Sequence, residues 1–185
     1  MVCFLCDGVP YKHADMFEAI ATAVSNGEID TSDLIAGLHK ISNLIEASMG
    51  GTSGAIYGIY LNSLVSSLNG SVEDGQGSTT PAIIAAAGAQ ALTELYKYTH
   101  ARQGSRTLMD VLIPFIEKIS SNPSAPQEAL EAAIRGMEAA KKMAASFGRA
   151  SYVNAGVFQE EGGIPDAGAL GLLSILSALV KVLEA

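Results

Sequence analysis

Apolar residues recur at a helical interval along almost the whole of this chain, and the two-residue alternation of a half-buried strand is scarce. That pattern leaves helix-on-helix packing as the architecture. In DTSDLIAGLHKISNLIEASMG, Leu34, Ile35, Leu38, Ile41, Leu44 and Ile45 fall on one stripe, with Asp30, Thr31 and Ser32 as N-cap candidates ahead of it. Residues 14–25 read as an earlier helix, stopped by Asn26-Gly27. Beyond Gly50-Gly51 a third helix is expected from about residue 52 to 68, followed by NGSVEDGQGST as a solvated loop. Thr80-Pro81 starts a fourth, Thr as cap and Pro in the first turn, expected to continue to Gly104. SRTLMDVLIPFIEKISS is a fifth with Pro114 inside it, so a kink or break is expected there. An Ala-rich sixth runs from 126 to 147, ended by Gly148, and GALGLLSILSALVKVL forms an apolar last helix. The expectation is all-α, seven helices in one domain, with no internal repeat.

At 185 residues the chain is long enough to bury a core unaided. A net charge of −8 argues against a nucleic-acid partner, which would need a basic stripe to neutralise phosphates. A small anionic ligand can still be held where helix N-termini and a few cations converge. No segment reaches the roughly twenty apolar residues of a membrane span. MVCFLCDGVP lacks a basic n-region, and its apolar run is too short for a signal peptide, so the chain reads as cytoplasmic. Cys3 and Cys6 form a single C-x-x-C with no second pair, which reads as reduced thiols rather than a metal or redox site. His13, His39 and His100 show no ligand spacing to it and are read as surface or interface residues.

The most unusual stretch is SMGGTSGAIYG. Gly50-Gly51 admit backbone conformations barred to other residues and let a ligand approach the main chain. Gly51, Thr52, Ser53 and Gly54 then fall at the start of the third helix, where N–H groups lack intrahelical partners and the dipole is positive. The result is a phosphate cradle without the spacing or lysine of a Walker motif. A glycine C-cap followed by a Thr/Ser N-cap in a tight turn is the alternative. Three other turns break the helical pattern. GSRTLMD carries Arg106 and Thr107 beside amides expected to be unpaired, FGRASY places Arg149 after a helix end, and PDAGA offers Asp166 as an N-cap. Each has a plainer reading: Arg106 on a wet surface, Arg149 as a helix-dipole partner, Asp166 as an ordinary cap.

In that order and spacing, MGGTSGAIYG, GSRTLMDVLIP, FGRASYV and IPDAGALG resemble the nucleotide-binding (DhaL-type) domain of dihydroxyacetone kinases, in the single-chain, ATP-using form. The resemblance implies an antiparallel eight-helix barrel with the nucleotide, ATP or ADP, on its loop rim. By motif match, Gly51, Thr52 and Ser53 would sit at the phosphates. Gly104, Thr107 and Leu108 would line base and ribose, Arg149 would be a phosphate or nucleotide contact, and Asp166, Ala167 and Gly168 would close the site. No residue is assigned a catalytic role.

The resemblance weakens at the N-terminus. The family carries a G-D-G-D-x-G-like motif whose aspartates bind two Mg²⁺ ions bridging the phosphates, whereas this chain has CFLCDGVPYKHAD. Asp7 is the one remaining metal candidate, and Asp15 lies too far into the helix. The family's first helix is missing too. Residues 1–17 are therefore expected to be divergent or replaced, and 18–185 to be the nucleotide-binding domain. The implied reaction is phosphoryl transfer from ATP to a small ketose held by a substrate-binding (DhaK-type) partner domain or subunit, and this chain alone is expected to be inactive. A non-catalytic helical binding or regulatory module of the same fold is the alternative, as is a fatty-acid-kinase-like domain. The groove left by a missing helix would invite a neighbour, as in a homodimer.

Overall fold

The computed structural model describes residues 11–73, 79–147, 149–152, 154–158 and 163–184, and all regular structure among them is helical. One compact unit, through Tyr98, holds α1 (Tyr11–Ser25), α2 (Leu34–Ser48), α3 (Gly51–Glu73) and α4 (Pro81–Leu95). A second, from Thr99 on, holds α5 (Met109–Ser121), α6 (Pro126–Ala140), a 3-10 turn at Arg149–Tyr152, the single-turn α7 (Ala155–Phe158) and α8 (Ala167–Leu183). Among the described residues, seven helices have thirteen residues or more, the number expected from periodicity.

In the first unit α1 packs on α2, α2 on α3 and α3 on α4. Only Met49 and Gly50 separate α2 from α3, and the pair runs antiparallel: Gly54 abuts the Met49 carbonyl, Gly58 abuts Glu46, and Asn62 bonds to Ser42. The N-cap of α2 is Asp33, whose carboxylate accepts the Ile35 and Ala36 amides at 2.9 and 3.0 Å. Asp30 instead closes the preceding turn by accepting from Ser32, so the cap lies downstream of the expected Asp30–Ser32. The buried face of α2 is Gly37, Ser42 and Ile45, while Leu34, at the open end of the stripe, is 43% exposed. Ser42 can be buried because its hydroxyl finds the Asn62 side-chain oxygen at 3.1 Å. His13 is buried rather than on the surface, its ring edge-on to Tyr57 and Nε2 3.1 Å from the Tyr57 hydroxyl.

Two boundaries move. α3 continues to Glu73, taking in the start of the expected loop. α4 stops at Leu95, because Lys97 and Tyr98 donate to the carbonyls three residues back and tighten the chain into a turn. Thr80 caps α4 by accepting from the Ile83 amide, with Pro81 in the first turn as expected.

In the second unit α5, α6 and α8 pack on one another. α5 continues unbroken past Pro114, and seven of its residues from Met109 to Ile116 are buried. Proline has no N–H for the carbonyl four residues earlier, that of Asp110. Gly136 of α6 lies directly against this carbonyl and the Pro114 ring, so packing from outside keeps the helix in place. α6 ends at Ala140, seven residues short of the expected Phe147, where Lys141 and Met143 donate three residues back. Asp166 caps α8, whose inner face is Ala169, Leu172, Leu176 and Val180. Among the described residues no helix is long and apolar enough to cross a membrane.

Candidate functional site

The α2–α3 turn opens a cleft of about 530 Å³ in the first unit. Gly51 starts α3 at φ +82°, a left-handed conformation that costs a non-glycine residue of order 1 kcal/mol or more. Gly51, Thr52 and Ser53 form the first turn of α3, where amides have no intrahelical acceptor. Gly50, Gly51 and Gly54 line the cleft, whereas Thr52 and Ser53 are not among its lining residues. Gly54 is obligatory: a Cβ there would overlap the Met49 carbonyl oxygen. Two turns further along α3, Asn62 donates to Glu46 Oε1 of α2 at 3.0 Å and accepts from Ser42, and the exposed Tyr98 also lines the cleft.

The second unit gathers most of the other expected site residues. Asp110, 1% exposed, organises the loop before α5. Its Oδ1 accepts from the Gly104 amide and its Oδ2 from the Thr107 amide at 2.7 Å. The Thr107 hydroxyl in turn accepts from the Met109 amide at 3.2 Å. The Gly104 and Thr107 amides are thus engaged, against the expectation that they were unpaired. Gly104 itself, at φ +90°, needs a glycine backbone. The Thr107-x-x-Asp110 spacing is that of a capping box, the signal by which the sequence announces Asp110.

Arg106 departs furthest from expectation. It is 2% exposed rather than on a wet surface, and it holds φ at +56°. Its guanidinium carbon lies 3.5 Å from the centroid of the buried Phe158 ring, and Nη2 donates to the Ile164 carbonyl at 2.8 Å. Nε has no partner among the described residues. Asp166 is held above the ordinary carboxylate range, chiefly by burial. The Ala169 amide, the Arg106 charge and the Gly168 amide oppose that shift, and the charge of Asp110 adds to it. A Cβ on Gly168 would sit 3.0 Å from Asp166 Oδ2 and 3.4 Å from Leu108 Cβ, so Leu108, Asp166 and Gly168 meet at the start of α8. Ala167, the first residue of that helix, is exposed.

Arg149 begins the 3-10 turn, but its side chain lies outside the described residues, as do Cys3, Cys6 and Asp7. Among the described residues no group of three or more His, Cys, Asp or Glu side chains is placed to hold a metal ion.

Residues 12–181 match the model of the DAK2 domain family. The chain belongs to that family. The DAK2 domain is 38% identical over 167 residues to dihydroxyacetone kinase of Pichia angusta, which covers 88% of this chain and 27% of the relative. It is 41% identical over 166 residues to dihydroxyacetone kinase 2 of Saccharomyces cerevisiae, covering 88% and 27%. It is also 33% identical over 154 residues to human triokinase/FMN cyclase, covering 80% and 25%. The chain thus spans about a quarter of the length of the curated relatives it matches. The native crystal structure of C. freundii dihydroxyacetone kinase superposes with a TM-score of 0.71 at 22% identity, over 93% of this chain and 28% of that one. Its complex with AMP-PNP and Mg²⁺ gives 0.68 at 22% identity, covering 93% and 27%. The DAK2 domain shares the helical fold of those enzymes.

Proposed function

We propose that this chain is the nucleotide-binding domain of a dihydroxyacetone-kinase-type phosphotransferase, taking ATP or ADP. The observation that carries the reading is the glycine turn, where a left-handed Gly51 presents the first-turn amides of a 23-residue helix beside an open cleft. In this reading the backbone of Gly51, Thr52 and Ser53 takes phosphate. In the second unit Leu108, Gly104 and Thr107, with Asp166, Ala167 and Gly168, contact base and ribose, and Arg149 contacts phosphate. Because the Gly104 and Thr107 amides serve Asp110, Gly104 offers the ligand its carbonyl and bare backbone, and Thr107 its carbonyl and side chain, instead of N–H groups.

The reading assigns residues 18–185 to the nucleotide-binding domain and treats 1–17 as departing from the family pattern. The ketose is held by a separate DhaK-type domain or subunit, and this chain alone does not transfer phosphate. Relatives named dihydroxyacetone kinase and a structural neighbour crystallised with AMP-PNP and Mg²⁺ support the reading. The sequence CFLCDGVPYKHAD, standing where the family carries its aspartate motif, favours a second reading, a non-catalytic helical binding or regulatory module of the same fold.

The test is calorimetric titration of ADP and ATP, with and without Mg²⁺, into the wild-type chain and Gly51→Val. A β-branched side chain cannot adopt φ +82° without strain, so the variant should lose at least ten-fold in affinity. Equal affinity overturns the cradle. A coupled assay with dihydroxyacetone and the substrate-binding domain in trans separates the two readings, since turnover excludes the non-catalytic module.

A further inference from the structure

A buried arginine in a left-handed backbone conformation needs a reason. At φ +56° the position suits glycine, and the chain instead places there its longest cationic side chain, 98% removed from solvent. A strained conformation persists only where its surroundings over-determine it. Here the surroundings are three separate pieces of chain. The guanidinium leaves the loop before α5, stacks on Phe158 of α7, and donates to the carbonyl of Ile164, 58 residues away, just ahead of the α8 cap. It lies close enough to Asp166 for its charge to favour the ionised carboxylate. Neither the ring nor the carbonyl carries a formal charge, and Nε goes unanswered among the described residues. Such an arrangement is a poor way to gain stability. It is an effective way to fix a loop, because a planar fork sets direction as well as distance.

We infer that Arg106 is a positioning residue, a strut that holds the residue 163–168 segment and the start of α8 against the 104–108 loop. This inference rests on the nucleotide-binding reading and deepens it. Leu108, on the strut's own loop, lies beside Gly168 only while the segment stays in register, so one side chain sets both walls of this surface of the second unit. Asp110 holds the loop from within through Gly104 and Thr107, and Arg106 ties it to its neighbour.

The test uses the full chain with Arg106→Gln and Arg106→Lys. Both keep the left-handed backbone position occupied by a non-glycine residue, so the comparison isolates the head group. Hydrogen exchange of the ligand-free protein should quicken about ten-fold at residues 163–170 in the glutamine variant, with α5 and α6 unchanged. The lysine variant, which keeps a charged donor for Ile164, should recover part of that protection. ADP affinity should fall about ten-fold in the glutamine variant and partly return with lysine, while inorganic pyrophosphate, a probe of phosphate contacts alone, binds all three proteins equally. Uniform loss of protection across the unit, equal exchange in all three proteins, or no rescue by lysine would overturn the strut. If the wild type fails to bind ADP, the functional reading falls and the exchange comparison, which needs no ligand, still decides the strut. If the glutamine variant does not fold, lysine against wild type gives the same regional comparison, and unchanged exchange at 163–170 refutes the inference.

Discussion

Gly136 offers the sharpest test of how the second unit is assembled. In an exposed helix interior, Gly→Ala stabilises by about 1 kcal/mol, because alanine loses less backbone entropy on folding. At Gly136 the new Cβ would run into the Asp110 carbonyl oxygen and stand 3.0 Å from Pro114 Cγ. Neither neighbour can rotate away, since one is helix backbone and the other a closed ring. Overpacking against such a wall costs about 3 kcal/mol, the upper end of the usual range. The difference is a net loss of about 2 kcal/mol, or roughly 4–8 °C in melting temperature for a chain of this size. Gly70→Ala is the matched control, an exposed position inside α3 where an added Cβ meets nothing within 4 Å. It should stabilise by up to about 1 kcal/mol. Thermal and urea unfolding followed by circular dichroism would measure both. Two variants shifting in the same direction, or a Gly136→Ala protein at least as stable as wild type, would refute the packing argument.

Two further outcomes follow from the site. Asp110→Asn keeps the volume but turns an NH₂ toward one of the two amides the carboxylate serves, so urea unfolding should show a loss of about 3 kcal/mol. Asp166 is raised above its ordinary value of 3.8 by burial, so the folded state favours its protonated form. Its contribution is present below that value and is lost as pH rises through the elevated folded pKa. Asp166→Asn, which can still cap α8, should therefore reduce the difference in urea midpoint between pH 3.5 and pH 7, and an unchanged difference would count against burial as the cause.

The helices were legible because their periodicity is strong, and the Thr80-Pro81 start and the Asp166 cap because capping chemistry is local. Local reasoning failed where a tertiary contact decides. Pro114 should interrupt α5 by its own chemistry, and a glycine 22 residues later on a different helix supplies the reason it does not. Lys97, Tyr98, Lys141 and Met143 end two helices early through tight turns at positions where composition still favours helix. At the candidate site the glycines of both turns were readable from sequence, since a left-handed backbone leaves a compositional mark. Arg106 was not, because a charge beside a turn normally faces water, and only its distant partners Phe158 and Ile164 bury it. Asp110 stood in a recognisable spacing but sat among apolar residues that read as core.

The wall of the first-unit cleft has a property that its surface does not display. Ser42, with 0% exposure, bonds to Asn62, and Asn62 bonds to Glu46, whose Oε1 would lie 2.8 Å from any Cβ at position 58. The carboxylate at the mouth of the cleft is thus aimed from behind, by a hydroxyl no solute ever meets and by the absence of a side chain on the facing helix. Evolution could re-aim that charge through Ser42, which lies outside the lining of the cleft, or through Gly58, which forms part of it. Variation at those two buried places would then be inherited as a change in ligand preference.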